Sequence, residues 1–193
     1  VVEAAAPLVA RVLLAAAIFL LVFPLLLVAV ASVNDSPQAT VAQFLGFTLR
    51  WYAAVLGNER YLSDAWTSLQ LAAACVLVSL SIALPAAFAL VRGGFRGREV
   101  TGALFMLPLA LPGIAIGLGM LRLLQWFTAV PAFLGVLAVH VVLVAPFMLA
   151  LLRASVAQLD RALEEAASGL GAPPARMFRR VILPQLGPGI AVA

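Results

Sequence analysis

Long apolar runs without charge alternate along the chain with short segments that carry nearly all of the charged residues. A helix of roughly 20 apolar residues matches the hydrocarbon core of a bilayer. The run from Leu123 to Leu152 exceeds that length, and the aromatic and proline residues of the stretch 125–131 predict a turn inside it. The pattern therefore predicts four membrane-spanning helices, at residues 12–33, 65–91, 100–124 and 132–152.

The first and last apolar runs need separate interpretation. The run 12–33 is longer than the core of about 7–15 residues that is typical of a signal peptide, so we expect a retained helix. The last run begins at about residue 181 and is too short to span a bilayer where the sequence stops, which predicts truncation within a fifth span. The predicted fold class is all-α, a polytopic transmembrane helix bundle that forms a single domain over residues 1–193.

The composition excludes an ordinary soluble domain, since 65% of the residues are hydrophobic and only 10% are charged. The formal net charge of +4 comes from arginines placed around the spans, so we expect a lipid bilayer as partner and no nucleic acid. Cys75 is the single cysteine, which rules out an intrachain disulfide.

The arginines also predict the orientation in the membrane, because cytoplasmic loops are enriched in basic residues. With the N-terminus inside, only Arg50, Arg60 and Arg122 of the 12 arginines face outward. We therefore expect a cytoplasmic N-terminus, a cytoplasmic segment 153–184 and an outer segment 34–64. The aromatic residues of the outer segment favour short helices at the headgroup level, with a docking surface for an external partner as the alternative.

The second and fourth spans contain the weak candidates for a substrate pathway. Cys75 and Ser79 lie on a small, faintly polar helix face, which favours helix packing, with the lining of a polar pathway as the alternative. Gln70 lies on the opposite side and is a separate candidate. His140 is the one histidine, and a hydrogen-bonded packing role is favoured over a proton relay because no carboxylate, cysteine or second histidine of the spans lies nearby. No metal site is expected.

The third span carries Pro108 and Pro112, one helical turn apart and followed directly by Gly113. Each proline removes a backbone hydrogen bond, so the pattern predicts a bend. Carbonyls freed in this way are tolerated within a membrane only where protein or a water-filled cavity covers them.

Sequence motifs of catalysis are missing: the chain has no GxSxG, no HExxH and no phosphate-binding loop that ends in GK[ST]. We expect no enzyme activity in this chain, and work driven by ATP would need a partner that binds the nucleotide. Two hypotheses of another kind stay open at this point. One is an ion-coupled secondary transporter that uses His140, and the other is an intramembrane hydrolase that pairs a serine with His140.

The segment 153–184 is the most polar part that follows a predicted span. Its apolar residues from Leu152 to Leu170 follow helical spacing, and Arg161 and Glu165 stand at the i, i+4 distance of an ion pair. Gly169 and Gly171 are suited to end this amphipathic helix, and Pro173 or Pro174 to begin a second one.

The same segment resembles a motif of a known family. The permease subunits of bacterial binding-protein-dependent (type I) ABC importers carry EAA, three residues, G, nine residues and I-x-L-P. Six of the seven motif positions are identical here, with valine in place of isoleucine: Glu165, Ala166, Ala167, Gly171, Val181, Leu183 and Pro184. The stretches "LRWYAAVLGN", "ALVRGGFRGRE" and "HVVLVAPFMLALLRA" resemble the spermidine/putrescine branch of these importers.

The resemblance implies the fold, the mechanism and the partners. The segment 153–184 would be the coupling loop, which docks in a cleft of a cytoplasmic ATPase while the permease pair alternates between inward-facing and outward-facing states. Glu165 would serve as the polar anchor, Ala166 and Ala167 would permit close approach, Gly171 would form the elbow, and Pro184 would mark the return to the membrane.

The resemblance also implies that the chain holds no cofactor, since ATP and magnesium belong to the partner ATPase. The expected partners are an ABC ATPase dimer, a second permease subunit that is either identical or different, and an extracytoplasmic solute-binding protein. The expected location is the bacterial cytoplasmic (inner) membrane. The solute is left open among polyamine-like, iron and organophosphonate classes.

Overall fold

The computed structural model of the chain describes residues 2–37, 43–126 and 130–193. Within these residues the backbone forms nine α-helices and one π-helical turn, and an isolated pairing of Asn34 with Phe47 is the single β contact. The elements are α1 (Val2–Ser32), α2 (Arg50–Leu56), α3 (Glu59–Arg92), α4 (Arg98–Ala110), α5 (Gly113–Trp126), α6 (Ala132–Ala157), α7 (Arg161–Gly169), α8 (Pro174–Met177), the π-helical turn (Phe178–Ile182) and α9 (Leu183–Val192). The predicted all-α class is confirmed.

Three helices of the described chain are long and apolar enough to cross a membrane: Val9–Ser32 within α1, all of α3, and all of α6. They cover the predicted runs 65–91 and 132–152 and nearly all of 12–33. Their apolar side chains are largely exposed, which suits helices surrounded by lipid or by other helices. Of the turn expected at 125–131, residues 127–129 lie outside the described residues.

The segment expected as a third span is present as two helices, α4 and α5, whose axes differ by 96°. Leu111, between them, has an extended backbone with φ −96° and ψ 141°. The ring of Pro112 disfavours the helical conformation of the residue before it, which accounts for a break at this point. Pro108 lies inside α4 without ending it. The sequence predicted a bend, and the structure replaces it with a full interruption of the helix.

The chain divides into two compact units, Val1–Trp66 and Thr67–Ala193. In the first unit, the turn after α1 is organised by Asn34, whose side chain is fully buried. Its amide nitrogen donates to the Gln43 carbonyl at 2.8 Å, and its amide oxygen accepts from the Leu45 N–H at 2.8 Å. The Trp51 indole N–H donates to the Asn34 carbonyl at 2.9 Å. These bonds satisfy the polar groups of a turn that would otherwise be costly to bury.

The second unit contains one hydrophobic core, which we call the packed base. It joins the C-terminal halves of α3 and α6 to the beginning of α9. Its buried residues are Ala83, Ala87 and Leu90 of α3, Met148, Leu149, Leu152 and Val156 of α6, Ile182 of the π-helical turn, and Leu186 of α9. The residues between α6 and α9 therefore begin and end on the same packed surface.

Two helices of the packed base, α6 and α9, approach each other closely at a glycine. A Cβ atom added to Gly189 of α9 would overlap the Ser155 side chain of α6, with the two Cβ atoms 2.7 Å apart. A side chain at that position would force Ser155 or one of the two helices to shift, because real Cβ atoms do not show such contacts. The approach helps to fix α9 on α6.

Candidate functional site

The candidate site is the two-helix segment, residues 158–182, which contains α7, α8 and the π-helical turn. It begins where α6 ends at Ala157, so the amphipathic helix expected from Leu152 to Leu170 is in fact two helices. Asp160 separates them, because its carboxylate accepts the Ala162 N–H at 2.9 Å and so caps the first turn of α7. Leu152 belongs to the packed base, whereas Leu170 is 88% exposed.

Gly171 ends α7 in a defined way. Its φ of +74° lies in the left-handed region, which glycine adopts without steric cost. The Gly171 N–H donates to the Ser168 carbonyl at 2.9 Å, and the Ala172 N–H donates to the Ala167 carbonyl at 3.0 Å. This pair of bonds is the Schellman motif, which reverses the chain direction after a helix. The reversal brings α8 and the π-helical turn into contact with α7.

The return path of the segment is anchored on α3. Pro173 and Pro174 begin α8, where a missing N–H and a fixed φ are tolerated. The Phe178 ring then packs edge-on against Phe88 of α3, with ring centroids 6.0 Å apart. Ile182 enters the packed base directly afterwards. The segment is thus fixed at both of its ends.

The residues of the predicted motif are distributed over the outer side of this segment. Glu165, Ala166 and Gly171 are exposed, and Ala167 is half-buried. Val181 is half-buried, while Leu183 and Pro184 are exposed at the beginning of α9. The buried positions next to them, Ile182 and Leu186, were not predicted from the sequence. Helical spacing alone could have indicated them, since the two are four residues apart.

The ion pair expected between Arg161 and Glu165 is absent, although both residues are described. The neighbouring acid is paired instead: Glu164 accepts a hydrogen bond from Arg92 Nη2 at 3.1 Å. The same nitrogen donates to the Leu159 carbonyl at 2.8 Å. Arg92 stands at the end of α3, and the sequence showed it only as part of the stretch "ALVRGGFRGRE". Arg92 and Glu164 are 72 positions apart, so no local pattern could have joined them.

The three weak candidates for a substrate pathway are not brought together. Gln70 and His140 are exposed, whereas Ser79 is fully buried with its hydroxyl 3.8 Å from the Cys75 sulfur. His140 Nδ1 lies 2.8 Å from the Val136 carbonyl of its own helix. In the described part of the chain, no three histidine, cysteine or carboxylate side chains cluster as metal ligands. His140 thus has a local hydrogen bond of the kind that the packing interpretation requires.

Fold and site together define a class: a polytopic helical membrane protein with a capped two-helix segment before α9. A family model described as "Binding-protein-dependent transport system inner membrane component" matches residues 79–193. The chain therefore belongs to this family of inner-membrane transport components. The resemblance read from the motif is confirmed.

Individual relatives agree with that assignment. The chain is 32% identical over 174 residues to the putrescine transport system permease protein PotI of Escherichia coli K12, a match that covers 86% of this chain and 61% of that protein. It is 37% identical over 141 residues to a probable molybdenum ABC transporter permease protein of Haloferax volcanii, covering 69% and 52% of the two chains. The chain thus spans about three fifths of the length of the first relative.

The fold is also found in a solved transporter structure. It is the crystal structure of a bacterial ABC transporter involved in the import of the acidic polysaccharide alginate. The match has a TM-score of 0.64 at 20% sequence identity and covers 96% of this chain and 66% of the other. The predicted fold, that of an ABC importer permease, is confirmed.

Proposed function

We propose that the chain is a transmembrane subunit of an ATP-driven importer, which moves a small solute across the inner membrane by alternating access. Family membership and the shared fold support this function. The sequence has no nucleotide-binding loop, so a separate ATPase must hydrolyse the ATP with its magnesium. The remaining partners would be a second permease, identical or different, and an extracytoplasmic solute-binding protein.

The observation that carries the proposal is the exposed surface of α7. This surface presents Glu165 and Ala166, and it ends in the exposed Leu170 beside the glycine elbow. A large apolar side chain flanked by two glycines gains nothing from solvent, and it fits a groove of a partner protein. We assign the groove to the ATPase. Glu165 would anchor the contact, Ala166 and Ala167 would let the backbone approach, and Gly171 would set the angle of the second helix.

The orientation follows from charge. Arg176, Arg179 and Arg180 lie exposed around α8 and the π-helical turn, directly before the apolar residues of α9. Together with six further arginines they would face the cytoplasm, so we expect the N-terminus and the two-helix segment on the side of the ATPase.

A polyamine-like solute is the first candidate, because a putrescine permease is among the relatives. Iron and organophosphonates are the further candidates from the resemblance. The predicted spans contain no aspartate or glutamate that would neutralise a cationic solute. We therefore expect the solute-binding protein to select the cargo, and putrescine is the first probe to use.

The proposal is tested by reconstituting the full-length protein with its partner subunits in proteoliposomes. Uptake of labelled putrescine should require ATP inside and the binding protein outside. Glu165→Arg should abolish uptake and capture of the ATPase, since a charge reversal removes the polar anchor. Glu99→Arg is the matched control, because Glu99 is 91% exposed and lies outside the two-helix segment.

Gly171 offers a second matched pair within the same segment. Gly171→Ala forces a Cβ atom into left-handed backbone, whereas Gly169→Ala lies in open space with ordinary backbone angles. Loss of uptake in the first variant alone would support the elbow. Uptake without ATPase that is lost on His140→Ala would instead establish an ion-coupled carrier.

A further inference from the structure

Arg92 occupies an unusual position for an arginine at the end of a membrane helix. Its side chain is only 19% exposed and that of Glu164 only 26%, so both charges have left most of their water. Their separation of 3.1 Å therefore represents a partly desolvated, charge-assisted hydrogen bond rather than an ordinary surface ion pair.

The same guanidinium joins a second element. Arg92 Nη2 donates to the Leu159 carbonyl at 2.8 Å, in the short connection between α6 and α7. A carbonyl directly beyond a helix C-terminus attracts a cation, because the helix dipole concentrates negative charge there. Arg92 thus connects the end of α3, the end of α6 and the first half of α7.

The position of the Arg92 side chain leaves one of its hydrogen-bond donors unpaired within the described part of the chain. Arg92 Nε is buried and has no hydrogen-bond partner among the described residues. A buried N–H without a partner costs free energy. The guanidinium is held in place by its two Nη2 contacts despite that loss, which indicates that their geometry matters.

We propose that Arg92 is a positioning residue, which locks α7 to the ends of α3 and α6 so that movement of these helices moves the ATPase-docking surface. The inference rests on the proposed function, and it names Arg92 as the residue that transmits the movement of α3 and α6 to the ATPase-docking surface. Glu164 faces inward to Arg92 while Glu165 faces outward, so the two adjacent acids have different roles. Glu164 holds α7 to the end of α3, and Glu165 contacts the ATPase.

The test compares hydrogen exchange of the α7 backbone with capture of the ATPase, both in the full-length protein in nanodiscs. Arg92→Gln and Glu164→Gln should each raise the exchange rate of residues 161–169 roughly tenfold, the effect expected when one charge-assisted bond is lost. Glu165→Gln should leave exchange unchanged and weaken ATPase capture. Arg96→Gln is the matched control, since Arg96 is exposed in the connection between α3 and α4 and should change neither.

The charge swap Arg92→Glu with Glu164→Arg gives a result that simple misfolding would not. It restores the ion pair without the bond to Leu159, so exchange should fall below that of either single variant. In the assembled transporter, Arg92→Gln should keep ATP hydrolysis and lower putrescine uptake per ATP about tenfold. Arg92→Lys, which keeps the charge, separates loss of geometry from loss of folding.

The outcomes separate the two proposals. If the unaltered protein captures no ATPase, the proposed function is wrong, while the exchange measurement still decides the role of Arg92. If capture is normal and the exchange of α7 is the same in Arg92→Gln as in Arg96→Gln, the positioning role of Arg92 is overturned.

Discussion

The packed base and the α4–α5 pair are built from the same residue types but treat them differently. Pro146 is fully buried in α6, the helix that supplies much of the packed base, and α6 continues through it. In the pair, Pro108 lies inside α4, whereas Pro112 coincides with a complete break and a 96° change of direction. Glycine differs as well, since Gly189 is closed in by Ser155 whereas Gly117 and Gly119 have open space around them.

The difference shows that packing can keep a helix intact although its sequence contains a proline. A proline in a helix interior costs about 3 kcal/mol, which packing of several buried leucine-sized side chains outweighs. The packed base supplies such side chains, with Leu149 and Leu152 fully buried. In the pair, Ile114 is 80% exposed and Leu118 is 61% exposed, so these side chains supply little packing that would oppose the break. The packed base is thus held by the chain's own buried contacts, whereas the exposed face of α5 is not.

The largest expected effect separates Leu152 from Leu118. Leu152→Ala should lower the free energy of unfolding in detergent by about 2–5 kcal/mol, because it leaves a cavity in the packed base. Leu118→Ala, the same chemical change on an exposed helix face, should stay within about 0.5 kcal/mol. Equal losses of stability in the two variants would mean that another chain covers α5. The contrast between the packed base and the α4–α5 pair would then be wrong.

An intermediate effect is expected at the glycines. Gly189→Ala should destabilise the protein by about 1–3 kcal/mol, because the new methyl group collides with Ser155. Gly119→Ala should instead stabilise it by up to about 1 kcal/mol, since alanine favours helix and finds open space. Thermal unfolding of the two variants in one detergent measures the difference, and a stabilising Gly189→Ala would contradict the close approach of α9 to α6.

The smallest change in stability is expected at Pro112, where the readout is geometric. Pro112→Ala removes the restriction on Leu111, so α4 and α5 should become more nearly collinear. Spin labels at the exposed positions Leu104 and Leu118 should then move apart. Pro108→Ala is the control one turn earlier and should leave their distance unchanged, because Pro108 lies inside α4. An unchanged distance in Pro112→Ala would show that the bend has another cause.

Much of the fold could be predicted from the sequence, because membrane-spanning helices are recognised by their length and apolar composition. The predicted runs 65–91 and 132–152 lie inside α3 and α6, and Gly171, which was expected to end the amphipathic helix, follows the end of α7. The break at Leu111 was less readable. Pro112 indicated a bend, but its size depends on what packs against α5, and no local pattern contains that information.

The ion pairs were the part of the structure that the sequence predicted least well. Arg161 and Glu165 had the spacing of an ion pair, yet the structure pairs Glu164 with Arg92. Spacing along one helix gives only the pairs that a helix could form by itself. Partners contributed by another helix depend on how the packed base aligns α3 with α6. His140 was singled out for its chemistry alone; in the structure its ring hydrogen-bonds to the Val136 carbonyl of its own helix.

The π-helical turn at Phe178–Ile182 has a consequence for how this segment tolerates change in length. A π turn contains one more residue than the α-helical turn it replaces, so it accommodates an extra residue while the helices on either side keep their faces. A one-residue deletion within 178–182 is therefore absorbed by closing the turn to α-helix, whereas a one-residue insertion would turn α8 by about 100° relative to α9. We expect the insertion to expose the segment to protease more than the deletion does.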